Sequence, residues 1–319
     1  MKRIQPFRTL LLLFTTVLVI SGCEIDVTVD LPPLEDRIVV EGTIEPGQPP
    51  FLTLTRNAAF FGTFDLNSLD AFFVRDAVVT VSDGLQTVNL IELCLQDLPP
   101  EYQAIAADLF GIDEETLSEI EEDYCVYTVD LLSGSFMLGV VGRTYTLQVR
   151  TSEDSLTAVT TIPGLVPIDS MWFSDHPDPE NDTLVNLNFQ FTDPDTLGNY
   201  YRYFTKQNSE PYYPGFNSVF DDLFVNGEQF DFILDRGQPR TAGFDPDTYG
   251  DFLRGDTVIV KWSTIDLDHY EFWNTLEFDS QNSGNPFGGA TNIASNVEGG
   301  LGVFGGYGAA YDTLIIPEE

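Results

Sequence analysis

The chain has 319 residues, of which 43% are hydrophobic and 13% aromatic, enough apolar material for a core and too much for global disorder. Lys and Arg number 14 against 51 Asp and Glu, a formal net charge of -37. A surface this negative repels phosphate backbones and anionic lipid, which excludes general nucleic-acid binding.

Residues 1–23 place Lys2, Arg3 and Arg8 ahead of the apolar run Leu10–Ile20. The run is shorter than the roughly 20 residues that cross a bilayer, and it fits the apolar region of a secretory signal. It ends in Ile20-Ser21-Gly22-Cys23, which resembles the bacterial lipobox, where small residues precede a cysteine that receives diacylglycerol. Residues 1–22 are therefore expected to be a lipoprotein signal peptide and Cys23 the lipidated residue. Acyl chains there would hold the protein at a membrane whatever its surface charge. Glu24, Asp26 and Asp30 resemble the surface-export signal of Bacteroidetes lipoproteins. Residues 23–36, with Pro32-Pro33, read as an extended tether.

Strand signals follow in quick succession. Ile38–Ile44 and Phe51–Thr55 alternate around the turn residues Pro46-Gly47 and Pro49-Pro50. Ala77–Ser82 and Thr87–Glu92 flank Asp83-Gly84, a hairpin signal. Val126–Leu131, Thr144–Arg150 and Leu156–Ile162 continue the pattern. Seven short strands predict an immunoglobulin-like β-sandwich over 37–165.

Inside it, over 95–124, the period changes. Tyr102, Ile105, Ala106, Leu109 and Phe110, then Leu117 and Ile120, sit at helical spacing, which predicts a small helical insertion with an acidic outer face. Cys94 and Cys125 bracket it. In an oxidising compartment the pair most simply forms one disulfide, worth roughly 3–4 kcal/mol in the chain-entropy model. Two free thiols or two metal ligands are the alternatives, although the pair lacks the rest of a zinc quartet.

Pro163-Gly164 marks a boundary, and 166–319 reads as a second β-rich domain with one packed helix. Its strand candidates are Leu184–Phe191, Tyr200–Lys206, Phe230–Leu234 and Thr257–Trp262. Asp266–Phe278 is predicted helical, with Phe272, Trp273 and Leu276 on one face and Asp266 or Asp268 as N-cap. A polar loop follows from Gln281 to Phe287, then a glycine-rich, β-like end from Gly299 to Ile316. The whole chain is thus expected to be mostly β.

Several elements together resemble a known family. They are Cys23 with Val29-Asp30-Leu31-Pro32-Pro33, Val39-Val40-Glu41-Gly42 with Pro46-Gly47, and Leu52-Thr53-Leu54-Thr55-Arg56. Near the C-terminus they are Tyr270-Glu271-Phe272-Trp273, Asn285-Pro286-Phe287 and Gly300 through Gly305. The chain is similar to the Bacteroidetes outer-membrane lipoproteins grouped as domain-of-unknown-function family 4249. The resemblance implies an outer-membrane location, on the cell surface, and the company of a TonB-dependent, SusC-like transporter. It carries over no catalytic residue.

No catalytic set stands out. The chain has two histidines, His176 and His269, and neither G-x-S-x-G nor H-E-x-x-H occurs. His269 lies among Asp266, Asp268 and Glu271, but reads as a helix residue rather than a base. Gly300 to Gly305 fits G-x-G-x-x-G, yet no helix follows to hold a pyrophosphate, so close packing in a terminal strand is the better account.

Carboxylate loops offer calcium ligands: Asp175, Asp178, Glu180 and Asp182 in one, Asp193 and Asp195 in another. Asp193–Gly198 and Asp245–Gly250 share the form D-P-D-T-x-G, which is equally ordinary turn chemistry. Aromatics crowd Tyr200–Phe220, and the loop carrying Tyr212, Tyr213 and Phe216 is the candidate ligand surface for a sugar, peptide or partner protein. These features favour a non-enzymatic accessory or ligand-binding lipoprotein without a cofactor. The alternatives are a structural or adhesive envelope protein and a carboxylate-dependent hydrolase.

Overall fold

The computed structural model describes residues 36–57, 73–99, 103, 124–130, 137–239, 248–282 and 292–318. The expected signal peptide, Cys23, the tether up to Glu35 and nearly all of the expected helical insertion lie outside the described residues, as does most of the loop after Gln281. The insertion contributes a short 3-10 turn, Leu95–Asp97, directly after the fourth strand.

Alternating burial builds the first sheet. β1 (Ile38–Ile44), β2 (Phe51–Arg56), β3 (Val78–Ser82), β4 (Thr87–Cys94), β6 (Thr144–Arg150) and β7 (Ser155–Thr161) turn every second side chain inward over most of their length. β5 (Cys125–Val129) is buried at nearly every position. Hydrogen bonds run through all seven in the order β7-β6-β3-β4-β5-β2-β1. β15 (Val297–Glu298) adds to β7, and β16 (Leu301–Gly306) adds parallel to β1. The sheet folds over itself around one core that takes Val40, Leu54, Val81, Leu90, Leu147 and Phe304, in the manner of a sandwich. Gly306 N–H donates to Thr160 Oγ1 at 2.7 Å, which returns β16 to the side of β7.

Two further sheets form a second sandwich. β9 (Leu184–Thr192) pairs with β8 (Ile168–Asp175), β12 (Gln229–Leu234) and the short β13 (Phe252–Leu253). The facing sheet has the order β11 (Tyr213–Asp221), β10 (Tyr200–Gln207), β14 (Thr257–Ile265), β17 (Gly308–Ile315). Between them lies an aromatic core. The Trp262 ring stands 4.7 Å from Phe189 and 4.9 Å from both Phe191 and Tyr201. Each fully buried side chain of this size contributes about 1.5–3 kcal/mol.

The other face of the β10–β14 sheet is covered by α1 (Leu267–Asn282), the one α-helix among the described residues long enough to span several turns. Phe272 and Trp273 bury against Val219, Ile265, Val303 and Tyr307. Asp266 is the N-cap: its Oδ1 accepts the His269 N–H at 3.0 Å. His269 itself is buried, and its ring lies so close to Gly305 that no Cβ could stand there.

The glycine-rich end therefore does packing work. A Cβ on Gly302, whose φ is +95°, would collide with Val40 O. Bare backbone lets residues 299–306 slip between β1 and β7, so the segment expected to form a separate second domain also completes the first sheet. Asp36–Glu319 is one compact unit.

Candidate functional site

The site forms where β11, an edge strand, leaves its partner. Arg202 pairs with Val219 and Phe204 with Pro214, so Tyr203 of β10 faces the four residues 215–218 of β11. Such a bulge needs room and anchoring. Gly215 supplies the room, because any Cβ there would occupy the Tyr203 ring. Anchoring comes from side chains of other elements. Phe216 N–H donates to the Tyr249 hydroxyl at 3.2 Å, and Ser218 N–H to Glu277 at 2.9 Å, with the Ser218 hydroxyl donating to the other Glu277 oxygen. Gln281 Nε2 donates to Phe216 O at 3.2 Å and to Asn217 Oδ1 at 2.8 Å.

The opposite wall is the segment after β12. Gly237 N–H donates to Thr205 Oγ1 at 2.7 Å and Gln238 N–H to Pro214 O at 3.3 Å, which seats it against the edge of β11. Arg236 Nη2 reaches both oxygens of Glu210, at 3.0 and 3.2 Å. Between the walls is a cavity of about 260 Å³ lined by Pro214, Phe216, Arg236, Gln238, Tyr249 and Glu277, with Ser280 and Gln281 at the helix end. Phe216 is 47% exposed and packs edge-on to Tyr249, centroids 5.8 Å apart.

Charge is finely placed around this cavity. Burial, and then the Asp235 carboxylate beside it, push the Tyr249 hydroxyl up to about 12. Burial also raises Asp235 above the usual carboxylate range, Asp251 adds to the rise, and the Tyr249 hydrogen bond opposes it. The arrangement offers one exposed aromatic face, amide donors and acceptors, and a cation already balanced by a carboxylate. That set suits a small polar ligand with an apolar side, such as a sugar or short peptide.

Of the aromatic residues expected to bind, only Phe216 lines the cavity. Tyr212 packs on Tyr311, centroids 6.0 Å apart, and under Lys206, while Tyr213 pairs with Thr205 in the strand. Tyr201 and Tyr203 are buried between the sheets. The residues missed were Arg236, Tyr249 and Glu277.

The expected calcium ligands are dispersed over separate roles. Asp175 pairs with Arg254 at 2.6 Å, and the Asp182 carbonyl accepts from the same guanidinium at 2.7 Å. Asp178 accepts the Glu180 N–H at 3.0 Å, a turn contact. Asp193 is buried and accepts from the Tyr201 hydroxyl and from Gly227 N–H at 3.1 Å, with Asp195 lying against Gly227. Among the described residues, these six carboxylates make no group of three with their oxygens within ligand distance of one another; Glu92, Cys94 and Cys125 do make such a group. There the two sulfurs are joined to each other as a disulfide, directly across β4 and β5. The Arg75 guanidinium stands over them and reaches Glu92 at 2.7 Å. In the second D-P-D-T-x-G copy, Asp245, Pro246 and Asp247 lie outside the described residues; Gly250 closes the turn with φ +83°.

Residues 24–312 match the family described as a domain of unknown function (DUF4249). The chain belongs to this family. No curated protein matches it. The DUF4249 match begins one residue after Cys23 and ends within β17, so it takes in both sandwiches and every residue that lines the cavity.

Proposed function

We propose that this protein is a lipoprotein, anchored through Cys23 in the outer membrane of a Bacteroidetes cell and facing outward. It acts without catalysis as a ligand-binding accessory subunit of a TonB-dependent, SusC-like transporter. The observation that carries the binding role is the cavity at the β11 bulge. Its walls come from β11, the segment after β12, the turn that carries Tyr249 and the helix, and an exposed aromatic ring sits at its side. Such rigid support is what a preorganised binding site requires. The address rests on the apolar run ending at Cys23.

The reading is tested on native membranes. Mild-detergent extraction and pull-down bring down a large β-barrel, mass spectrometry finds an acylated N-terminal Cys23, and Phe216→Ala weakens capture of the transported nutrient. Recovery of the protein alone in several detergents, or an unmodified chain with its leader intact, overturns it.

A further inference from the structure

The tip of the second sandwich carries a feature separate from the cavity. Two loops meet there: residues 193–199, between β9 and β10, and residues 222–228, between β11 and β12. Two buried aspartates staple them. Asp222 accepts from Gly198 N–H at 2.8 Å, Asn199 N–H at 2.9 Å and Asn199 Nδ2 at 3.1 Å. Asp193 accepts from Gly227 N–H at 3.1 Å, and its own N–H donates to Glu228 O at 3.0 Å. Val225 turns back into the aromatic core between the sheets.

Loops held this firmly would be expected to tuck their large apolar side chains away. These present them: Leu197 is 69% exposed, Leu223 62% and Phe224 92%. Isolated exposed apolar residues are commonplace, but three on two cross-linked loops form a preformed anchor of the kind found at the centre of interfaces. Every charged residue of the two loops is acidic. Asp195, Asp221 and Glu228 flank the three, Asp169 sits beside Thr192 and Gln229, and neither loop contains Lys or Arg.

We propose that this tip docks on a protein partner, inserting Leu197, Leu223 and Phe224 into an apolar cleft rimmed by Lys and Arg. The acidic rim steers and orients such a partner, and it repels an anionic lipid surface. The inference does not depend on the cavity or on the identity of the transporter.

The test places p-benzoylphenylalanine at Phe224 in the full-length protein and irradiates intact cells. One protein adduct is expected, mapped by mass spectrometry to a partner segment bearing Lys or Arg. Leu197→Ser with Leu223→Ser reduces its yield by roughly tenfold or more, and Asp195→Lys with Glu228→Lys does so too, while thermal unfolding stays unchanged because these side chains are exposed. An adduct to lipid alone, adducts that merely follow protein abundance, or a yield indifferent to both double variants overturns the proposal. If the adduct is to a protein other than a transporter, the docking tip stands and the accessory-subunit reading falls. If a transporter co-purifies and no adduct forms at position 224, the reverse holds.

Discussion

Replacing Tyr249 by Phe isolates the electrostatic support of the cavity while keeping its shape. The ring remains against Phe216, but the hydroxyl that accepts the Phe216 N–H at 3.2 Å and donates to Asp235 is gone. Phe216 is half exposed, so water replaces the first bond at little cost. Asp235 is half-buried, and a hydrogen bond to a charged group contributes about 1.5–3 kcal/mol. Tyr249→Phe should therefore lower unfolding stability by about 2 kcal/mol at neutral pH. The pH dependence separates this cause from a packing defect. Asp235 titrates above its unfolded value of 3.8, so its contribution is fully present below 3.8 and is lost as pH rises through the folded value. Removing the hydroxyl lifts the folded value further, and the loss then deepens toward neutrality. As pH falls and Asp235 takes up its proton, the missing bond becomes a neutral one, about 1 kcal/mol. Urea titrations of wild type and variant at pH 4 and pH 7 should give a gap that narrows on acidification. A gap equal at both pH values, or under about 0.5 kcal/mol at pH 7, refutes the role assigned to this hydrogen bond.

Reduction of the Cys94–Cys125 disulfide, which closes a separation of 31 residues, should cost about 3–4 kcal/mol, read as a lower urea midpoint with reductant. Trp262→Ala empties the middle of the aromatic core and should cost about 3–5 kcal/mol; a loss below 1 kcal/mol would mean the two sheets do not depend on it. His269 is buried and its pKa lies well below 6.5, chiefly through desolvation and then the Arg202 charge. The unfolded chain takes up this proton as pH falls below 6.5 and the folded one resists, so that stability is lost on acidification. His269→Asn should flatten the pH 5–7 slope of the melting temperature relative to wild type.

The strands that alternate cleanly were legible as sequence. β1 to β4 show the period of two, and Asp83-Gly84 makes the turn between β3 and β4, with Gly84 at φ +83° and Asp83 Oδ1 accepting from Leu85 and Gln86. β8 was missed because Trp172 points outward, which breaks the expected pattern. Pro211, Pro214 and Gly215 give β11 the sequence of a loop, but an edge strand tolerates Pro and a bulge. The return of β16 to β1 pairs Val39 with Leu301, and no local period encodes a contact at that separation. The cavity was half legible for the same reason. Phe216 stood out as an aromatic beside turn residues, whereas Arg236, Tyr249 and Glu277 look like ordinary surface residues until the fold brings them to the bulge.

One chain of hydrogen bonds explains why that bulge is stiff and why its anchor is charged. Glu277 holds Ser218; Arg202 Nε donates to Ser218 Oγ at 3.2 Å; Arg202 Nη1 donates to the Tyr307 hydroxyl at 2.6 Å; and Tyr307 N–H donates to Ile44 O at 3.0 Å. The chain runs from the cavity wall to β1 through a buried guanidinium that also lies over the Trp273 ring, 3.4 Å from its centroid. The Ser218 hydroxyl links that guanidinium to Glu277, accepting from the one and donating to the other. Neutralising Glu277 would thus weaken the hold on Ser218, and through it on Arg202, as well as loosen residues 215–218. The wall of the cavity and the seam between the two sandwiches share one chain of hydrogen bonds, so a change at either reaches the other.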